Sequence, residues 1–330
     1  MYYEGPYQKR RKKRRRELRR RGFGAWLAGL LLRLLALLLV LALLGAGLLY
    51  ILPVSLFAVE PEGVELSLTD GLPASRANIL LLGLDMAREN SQRSDTVVVA
   101  SIGYKQLRLT SVLRDTLVDI PGYGLGKLNA AYAHGGPALV MRTLNQNFDL
   151  NIMHYLAVDF TSLVNLVDAI GGVELNVTEA EMGRINQNIE AARAHFEPLG
   201  YDASPLAQCG EHTHLNGVQA LYYARIRKLD SDFMRTSRQR ALLEAMLNKI
   251  RSNLWNPALL ARLGRALTRS VDTNMSAVQL LSLGIKALAA GAPGQTRLPV
   301  EGSYTDDGAN LRVDDRQKNI DAFRMFVYDE

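Results

Sequence analysis

Cysteine is almost absent from this sequence: Cys209 is the only one in 330 residues. An intramolecular disulfide is therefore excluded, and so is a zinc site built on several cysteines. Such a chain is compatible with a bacterial surface domain that does without disulfides. Acidic residues are scarce where basic ones are densest. Residues 1–52 carry twelve of the 39 Lys and Arg but only Glu4 and Glu17 as acids. Residues 53–330 hold 27 basic against 31 acidic residues, a net charge of −4. The overall +6 and the pI near 9.4 thus belong to the N-terminal segment and give no reason to expect nucleic acid as a partner. A phosphate-binding loop is also missing. The run 120–127 is rich in glycine, but it lacks the P-loop glycine spacing and the Lys-Ser/Thr end. There is no internal repeat, and no low-complexity segment beyond the basic tail.

What is present begins with charge and hydropathy. Residues 9–21 are almost entirely Lys and Arg, and 34–52 run nineteen residues without a charge. At ~1.5 Å rise per residue that run spans about 28 Å, close to the hydrocarbon core of a bilayer. Arg33 can snorkel at its edge, and Trp26 suits the interface. The reading is a single transmembrane helix with the N-terminus cytoplasmic and 53–330 outside. A cleaved signal peptide fits less well, because Leu48 to Leu52 continue the apolar run past Gly45-Ala46-Gly47. The expected organisation is a basic cytoplasmic tail over 1–33, a span over 34–52, a spacer over 53–77 and an extracellular domain over 78–330.

The external part alternates strand and helix signals. Residues 78–85 contain five Ile or Leu in eight, as in a strand buried on both faces, and end at Asp85. Carboxyl ends of such strands are where ligands bind. A second strand follows Arg93-Ser94-Asp95-Thr96, a turn covers 103–106, and a third strand over 107–113 runs into Arg114-Asp115-Thr116. Residues 120–127 read as a loop. A helix is predicted from Gly135-Gly136-Pro137 to Phe148, another over 160–170, and a strand over 173–177. Further helices are predicted near 179–194, 215–223, 235–252, 257–269 and 276–289, with short strands near 297–299 and 312–313. The pattern favours the α/β class: a layered domain on a mixed central sheet, preceded by one transmembrane helix.

The densest chemistry lies in 222–240. Arg225, Arg227, Arg235, Arg238 and Arg240 fall within sixteen residues, with Lys228 and only Asp230 and Asp232 against them. In an extended segment Arg225 and Arg227 point the same way. Asp230, Ser231 and Asp232 are N-cap candidates for a helix on which Arg235, Arg238 and Gln239 share a face. A cluster of guanidinium forks suits phosphate or pyrophosphate, since each fork bonds two oxygens. A surface helix with ordinary ion pairs is the alternative. Two other features are read plainly. Cys209-x-x-His212-x-His214 lacks a fourth ligand and reads as loop, and the helically spaced Leu242, Leu243, Met246, Leu247 and Ile250 read as core.

A set of short motifs occurs in a fixed order. It comprises Leu82-Gly83-Leu84-Asp85, Arg93-Ser94-Asp95-Thr96, Arg114-Asp115-Thr116, Lys127-Leu128-Asn129-Ala130-Ala131-Tyr132 and Gly135-Gly136. It continues with Ala169-Ile170-Gly171-Gly172-Val173, Leu215-Asn216-Gly217, and Arg225-x-Arg227 with Asp232-x-x-Arg235-x-x-Arg238-Gln239. In this the chain resembles the LytR-CpsA-Psr family of cell-envelope proteins, most clearly over residues 78–250. The resemblance implies an α/β/α layered fold with a hydrophobic pocket for a polyprenyl-pyrophosphate-linked glycopolymer. It also implies Mg²⁺-dependent transfer of that polymer, as its phosphate ester, to peptidoglycan. It places metal binding on Asp85 and Asp95. It has Arg93, Arg114, Lys127, Arg225, Arg227, Arg235 and Gln239 contact the pyrophosphate or support the residues that do, with Asp232 ordering the arginines. The short stretch between Asp85 and Arg93 departs from the family pattern, and residues 178–214 carry no recognisable family signal.

The residues themselves agree with that chemistry. Cleaving a pyrophosphate calls for charge stabilisation more than covalent catalysis. Mg²⁺ takes one or two carboxylates plus substrate oxygens and water. Arg114, Arg225, Arg235 and Arg238 can neutralise the leaving phosphate. A sugar hydroxyl acceptor benefits from a general base, for which Asp95 and Asp115 are both candidates. Transfer to water instead, or lipid binding without catalysis, remain alternative outcomes of the same residues.

Overall fold

The computed structural model describes residues 65–73, 75–85, 93–226 and 232–328, together with 44–45 and 47–48. The basic tail, nearly all of the expected transmembrane run, and Arg227 lie outside the described residues. By its internal contacts the chain divides into Met1–Leu52 and Pro53–Glu330. The second unit carries the sheets and the helices packed on them.

Its centre is a sheet whose first strand is the Ile/Leu-rich run, β1 (Ala77–Asp85). β2 (Arg93–Gly103) and β3 (Gln106–Val112) form the hairpin expected at 103–106, and β2 lies antiparallel to β1. The helix α1 (Leu128–Phe148) leads to β6 (His154–Val158), which returns parallel to β1 on its other side. Two short segments complete the edges, β9 (Asp272–Thr273) on β6 and β10 (Gly294–Leu298) parallel on β3. The order β10-β3-β2-β1-β6-β9 is a mixed sheet, as expected.

Side chains alternate across β1 and β2, so each strand feeds two cores. Leu80, Leu82, Val97 and Val99 pack against Met141, Leu144 and Phe148 of α1 and against Phe323 and Val327 of α8 (Arg316–Tyr328). Ile79, Val98, Ala100 and Ile102 pack on the opposite face. There they meet Leu243 and Leu247 of α5 (Asp232–Ser252) and Leu283 of α7 (Ala277–Ala289). A third cluster joins α2 (Phe160–Ala169), α3 (Glu179–Phe196), α4 (Gly217–Ala224) and α6 (Pro257–Ser270) to a separate hairpin. That hairpin is β7 (Val173–Val177) with β8 (Gly210–Leu215).

Several expectations change. The Gly-rich run is a hairpin rather than a loop: β4 (Thr116–Ile120) pairs with β5 (Gly124–Lys127). β4 also pairs with β12 (Leu311–Val313), which pairs with β11 (Tyr304–Asp306). The helix expected at Gly135 begins seven residues earlier, at Leu128. Gly135 and Gly136 kink it instead of starting it. Gly136 has φ of +62°, a conformation that disfavours side chains, and Pro137 supplies no amide to the ladder. Arg225 is the C-terminal cap of α4, so its side chain is not set by an extended strand. Leu66, in the expected spacer, is buried in the main core. The helix α8 was not anticipated, although Ile320, Phe323 and Val327 have helical spacing and are all buried.

Candidate active site

The carboxyl ends of the parallel strands β1 and β6 meet the start of α2, the end of α4 and the first turns of α5. A cavity of about 460 Å³ opens there, with Asp95, Thr96, Arg225, Arg235 and Gln239 among its polar lining and Phe160 among its apolar lining. The position is set by topology, because parallel neighbours end on the same side of the sheet.

Asp95 reaches this cavity through a local irregularity. In the β1–β2 ladder Gly83 faces Thr96 and Leu84 faces Ser94, so Asp95 is the extra residue of a β-bulge. A bulge redirects the side chain at that point, and here it turns a carboxylate into the cavity. Gly83 lies opposite. A Cβ there would come within 2.9 Å of the Thr96 side chain, so the tight crossing requires glycine. Asp85, two residues on, ends the strand.

Cations surround the two carboxylates. Arg114 donates from Nη1 to Asp95 Oδ1 at 2.7 Å and from Nε to Asp115 Oδ2 at 3.2 Å. Lys127 donates to Asp115 Oδ1 at 3.0 Å and to the Ala309 carbonyl at 2.7 Å. The backbone amide of Asn129 donates to the Arg114 carbonyl, which ties the start of α1 to this chain of charges. On the other side, Arg225 Nη2 lies 3.9 Å from Asp85 Oδ2, and its guanidinium stacks 3.9 Å over the Phe160 ring. That stacking fixes the fork while leaving its edge available for hydrogen bonds. Arg235 is only 2% exposed and donates from Nη2 to the Asp95 carbonyl at 3.5 Å. A guanidinium at that depth strengthens the attraction for an anion in the cavity.

The expected cluster therefore forms only in part. Asp95, Arg225, Arg235 and Gln239 line one cavity, and Asp85, Arg114, Asp115 and Lys127 join it through ion pairs. Arg93 is exposed opposite Asp85 in the ladder. Asp232 begins α5, and Arg227 lies outside the described residues.

Arg238 departs from the expected shared face. Arg235 and Gln239 are four apart and lie on one face of α5. Arg238 lies ~60° to the other side of Arg235, about 100° from Gln239, and its side chain turns toward α3. It is buried and donates from Nε to Glu181 Oε1 on α3 at 2.7 Å. Burial pushes the Glu181 carboxyl up, but the Thr178 amide and Arg238 outweigh it and leave its pKa below the ordinary value. Arg238 thus fixes α5 to α3. Arg240, likewise, bonds Ser111 Oγ and Gln295 Oε1.

Adjoining the cavity at Asp95 is a mainly apolar one of about 840 Å³, and Gly83, Thr96, Val158, Leu163, Ala224 and Gln239 line both. Its wall includes Leu81, Val98, Leu242, Leu243, Met246 and Leu267. Leu242, Leu243 and Met246, which periodicity alone assigned to packing, face this space. Helical spacing reports an apolar face and does not tell a packed face from a cavity wall. Phe160 had no signal in the sequence, since its role depends on Arg225 reaching it from α4.

The sequence model of the LytR_cpsA_psr family matches residues 60–323. The chain belongs to this family. Among similar family proteins, a regulatory protein named MsrR from Staphylococcus aureus (strain COL) is 30% identical. The match covers 76% of this chain and 74% of that protein. A protein from Enterococcus faecalis (strain ATCC 700802 / V583) is named polyisoprenyl-teichoic acid–peptidoglycan teichoic acid transferase TagU. It is 33% identical over 73% of this chain and 75% of its own length. The fold is shared with B. subtilis YwtF (TagT) solved with bound octaprenyl pyrophosphate lipid. That structure has a TM-score of 0.56 and 22% identity, over 77% of this chain and 90% of that one. Family membership accounts for the ordered motifs. The bulge at Asp95, the Phe160–Arg225 stack and the adjoining cavities are what those motifs build in this chain.

Proposed function

We propose that this protein transfers a glycopolymer phosphate from a polyprenyl-pyrophosphate carrier to a sugar hydroxyl of peptidoglycan. The observation that carries the reading is that a cavity bearing Arg225 and Arg235, with Asp95 and Asp159 beside them, is continuous with an apolar one. A pyrophosphate fits beside Arg225 and Arg235, and an isoprenoid chain fits the space beyond Gly83 and Ala224. The TagU relative is named as a teichoic acid transferase from a polyisoprenyl-linked donor to peptidoglycan, and the TagT relative was solved with octaprenyl pyrophosphate.

The acceptor hydroxyl oxygen attacks the phosphorus that carries the saccharide. The bond from that phosphorus to the bridging oxygen breaks, and polyprenyl phosphate leaves with the electron pair. Arg225 and Arg235 stabilise the charge gathering on the leaving phosphate. The acceptor proton goes to a carboxylate. Of the two candidates Asp95 lines the cavity, whereas Asp115 has one oxygen on Arg114 and the other on Lys127. Asp115 is therefore assigned to hold those two cations in place, and Arg93 and Lys127 to the rim of the pyrophosphate site.

Mg²⁺ fits the donor set, because Asp85 and Asp95 are both oxygen ligands at the same end of the β1–β2 ladder with room left for phosphate oxygens and water. When bound, it would neutralise pyrophosphate charge. Residues 34–52 are assigned to a single membrane span, with the N-terminus cytoplasmic and the catalytic domain outside.

The test is incubation of the chain in detergent micelles with a lipid-pyrophosphate-linked saccharide, Mg²⁺ and a peptidoglycan oligomer, followed by mass spectrometry. A phosphodiester-linked conjugate with released polyprenyl phosphate is expected. Saccharide phosphate without conjugate at saturating acceptor would make the protein a hydrolase. Tight lipid binding without products would make it a holding protein, the role that the name of the MsrR relative suggests.

A further inference from the structure

Between Glu244 and Asp272 the sequence contains no acidic residue, although the body of the chain is net acidic. Lys249, Arg251, Arg262, Arg265 and Arg269 all fall in this stretch. The first two are engaged locally, Lys249 with Glu174 and Arg251 with the carbonyls of Leu288 and Ala290. The other three lie on α6 at i, i+3 and i+7, one face of the helix. They are exposed, and among the described residues none of them forms an ion pair with a carboxylate. Arg262 and Arg265 donate from Nε only to the backbone carbonyls of Ala169 and Ala261. With Asn165 and Ser270 the three line an open basic depression of about 690 Å³. Exposed apolar groups precede the same helix. Trp255, in the turn before α6, is 87% exposed, and Leu254 is 40% exposed.

Solvent-facing arginines on a helix that an exposed Trp and Leu precede make the pattern of a helix lying in a lipid interface. The opposite side of α6 supports the same geometry, for its Leu267 lines the apolar cavity. We infer that the outer face of α6, with Trp255 and Leu254, docks onto an anionic lipid bilayer. In that pose the apolar cavity opens about one helix diameter, ~10 Å, from the acyl region. A polyanionic polymer would satisfy the arginines alike, but it would leave Trp255 and Leu254 without a partner. This inference does not depend on the transfer reaction.

The test uses the full chain reconstituted in vesicles, with Trp26→Phe leaving Trp255 as the sole tryptophan. Quenching of its fluorescence by dibrominated lipid is compared in phosphatidylglycerol and phosphatidylcholine vesicles. Strong quenching and a blue shift are expected in phosphatidylglycerol, with little in phosphatidylcholine. About 0.5 M NaCl should remove them, since screening there acts over only a few ångströms. Three arginines near an anionic surface correspond to roughly a hundredfold in partitioning. Arg262→Gln, Arg265→Gln and Arg269→Gln together should therefore bring quenching down to the phosphatidylcholine level. The salt series on the Trp26→Phe chain needs no α6 variant and stands if the triple variant fails to fold. Absence of quenching in phosphatidylglycerol, whether or not the chain floats with vesicles, overturns the inference. So does equal quenching in both lipids. Displacement of Trp255 from the vesicle by soluble polyphosphate, at constant ionic strength, would reassign the face to a polyanionic polymer.

Discussion

Arg238 separates two readings of the arginine stretch, and stability measurements distinguish them. If it contacts pyrophosphate, Arg238→Met lowers substrate affinity and leaves folding unchanged. The structure places it against Glu181, with side chains 6% and 12% exposed. Removing one partner of a buried pair costs about 3–5 kcal/mol, because the other charge is left behind. Glu181 would keep two contacts to Thr178, from its amide at 2.9 Å and its hydroxyl at 3.0 Å, which moderates that cost. The expected loss for Arg238→Met is therefore about 2–3 kcal/mol. With a urea slope of roughly 3 kcal/mol/M, the midpoint falls by about 0.8 M. Glu181→Gln keeps the shape and the helix cap and should cost about 1–2 kcal/mol. In the double variant no charge is stranded, so the coupling between the two sites should be about 1–2 kcal/mol. The assay is urea unfolding of the four proteins in detergent, followed by far-UV circular dichroism. A loss below roughly 0.5 kcal/mol for Arg238→Met, or coupling within error of zero, would refute the assignment. A raised KM with an unchanged midpoint would return Arg238 to the pyrophosphate site.

The same pair predicts an acid limb. Glu181 has a folded pKa below its ordinary 4.5, so its contribution is complete above that value and is lost as pH falls through the folded one. Urea midpoints measured from pH 6 down to pH 3 should decline, and the decline should be shallower in Glu181→Gln. Asp95→Asn should reduce turnover by at least about 10²-fold with a far smaller effect on the midpoint, since its amide oxygen can still accept from Arg114 while the charge used in the reaction is gone. Normal turnover in that variant would release Asp95 from the mechanism. Arg225→Lys should retain the charge but lose both the fork and the stack on Phe160, lowering kcat/KM by roughly tenfold or more. Lys at full activity would argue against bidentate recognition. Leu243→Trp should narrow the apolar cavity, weakening binding of a long prenyl pyrophosphate in a titration more than that of a short one. Equal losses for both would place the lipid elsewhere.

The sequence by itself determined the strand β1 with Asp85 at its end, the β2–β3 hairpin and the helices from α2 to α7 within a few residues. These follow from local periodicity, capping and turn chemistry, which act over a few residues. It also determined which residue types carry the chemistry, because arginines and aspartates in ordered motifs survive any detail of packing. Only the tertiary structure decided which of them face one another. The bulge that turns Asp95 inward depends on a two-strand register. The separation of Arg238 from Arg235 depends on Glu181, more than fifty residues away on α3. The cavity beside Leu242, Leu243 and Met246 is a gap between α5, the sheet and three other helices, and an apolar face has the same spacing whether it meets a neighbour or a void. Long-range juxtaposition of this kind leaves no local trace in the chain, which is why the chemistry was legible in the sequence and its geometry was not.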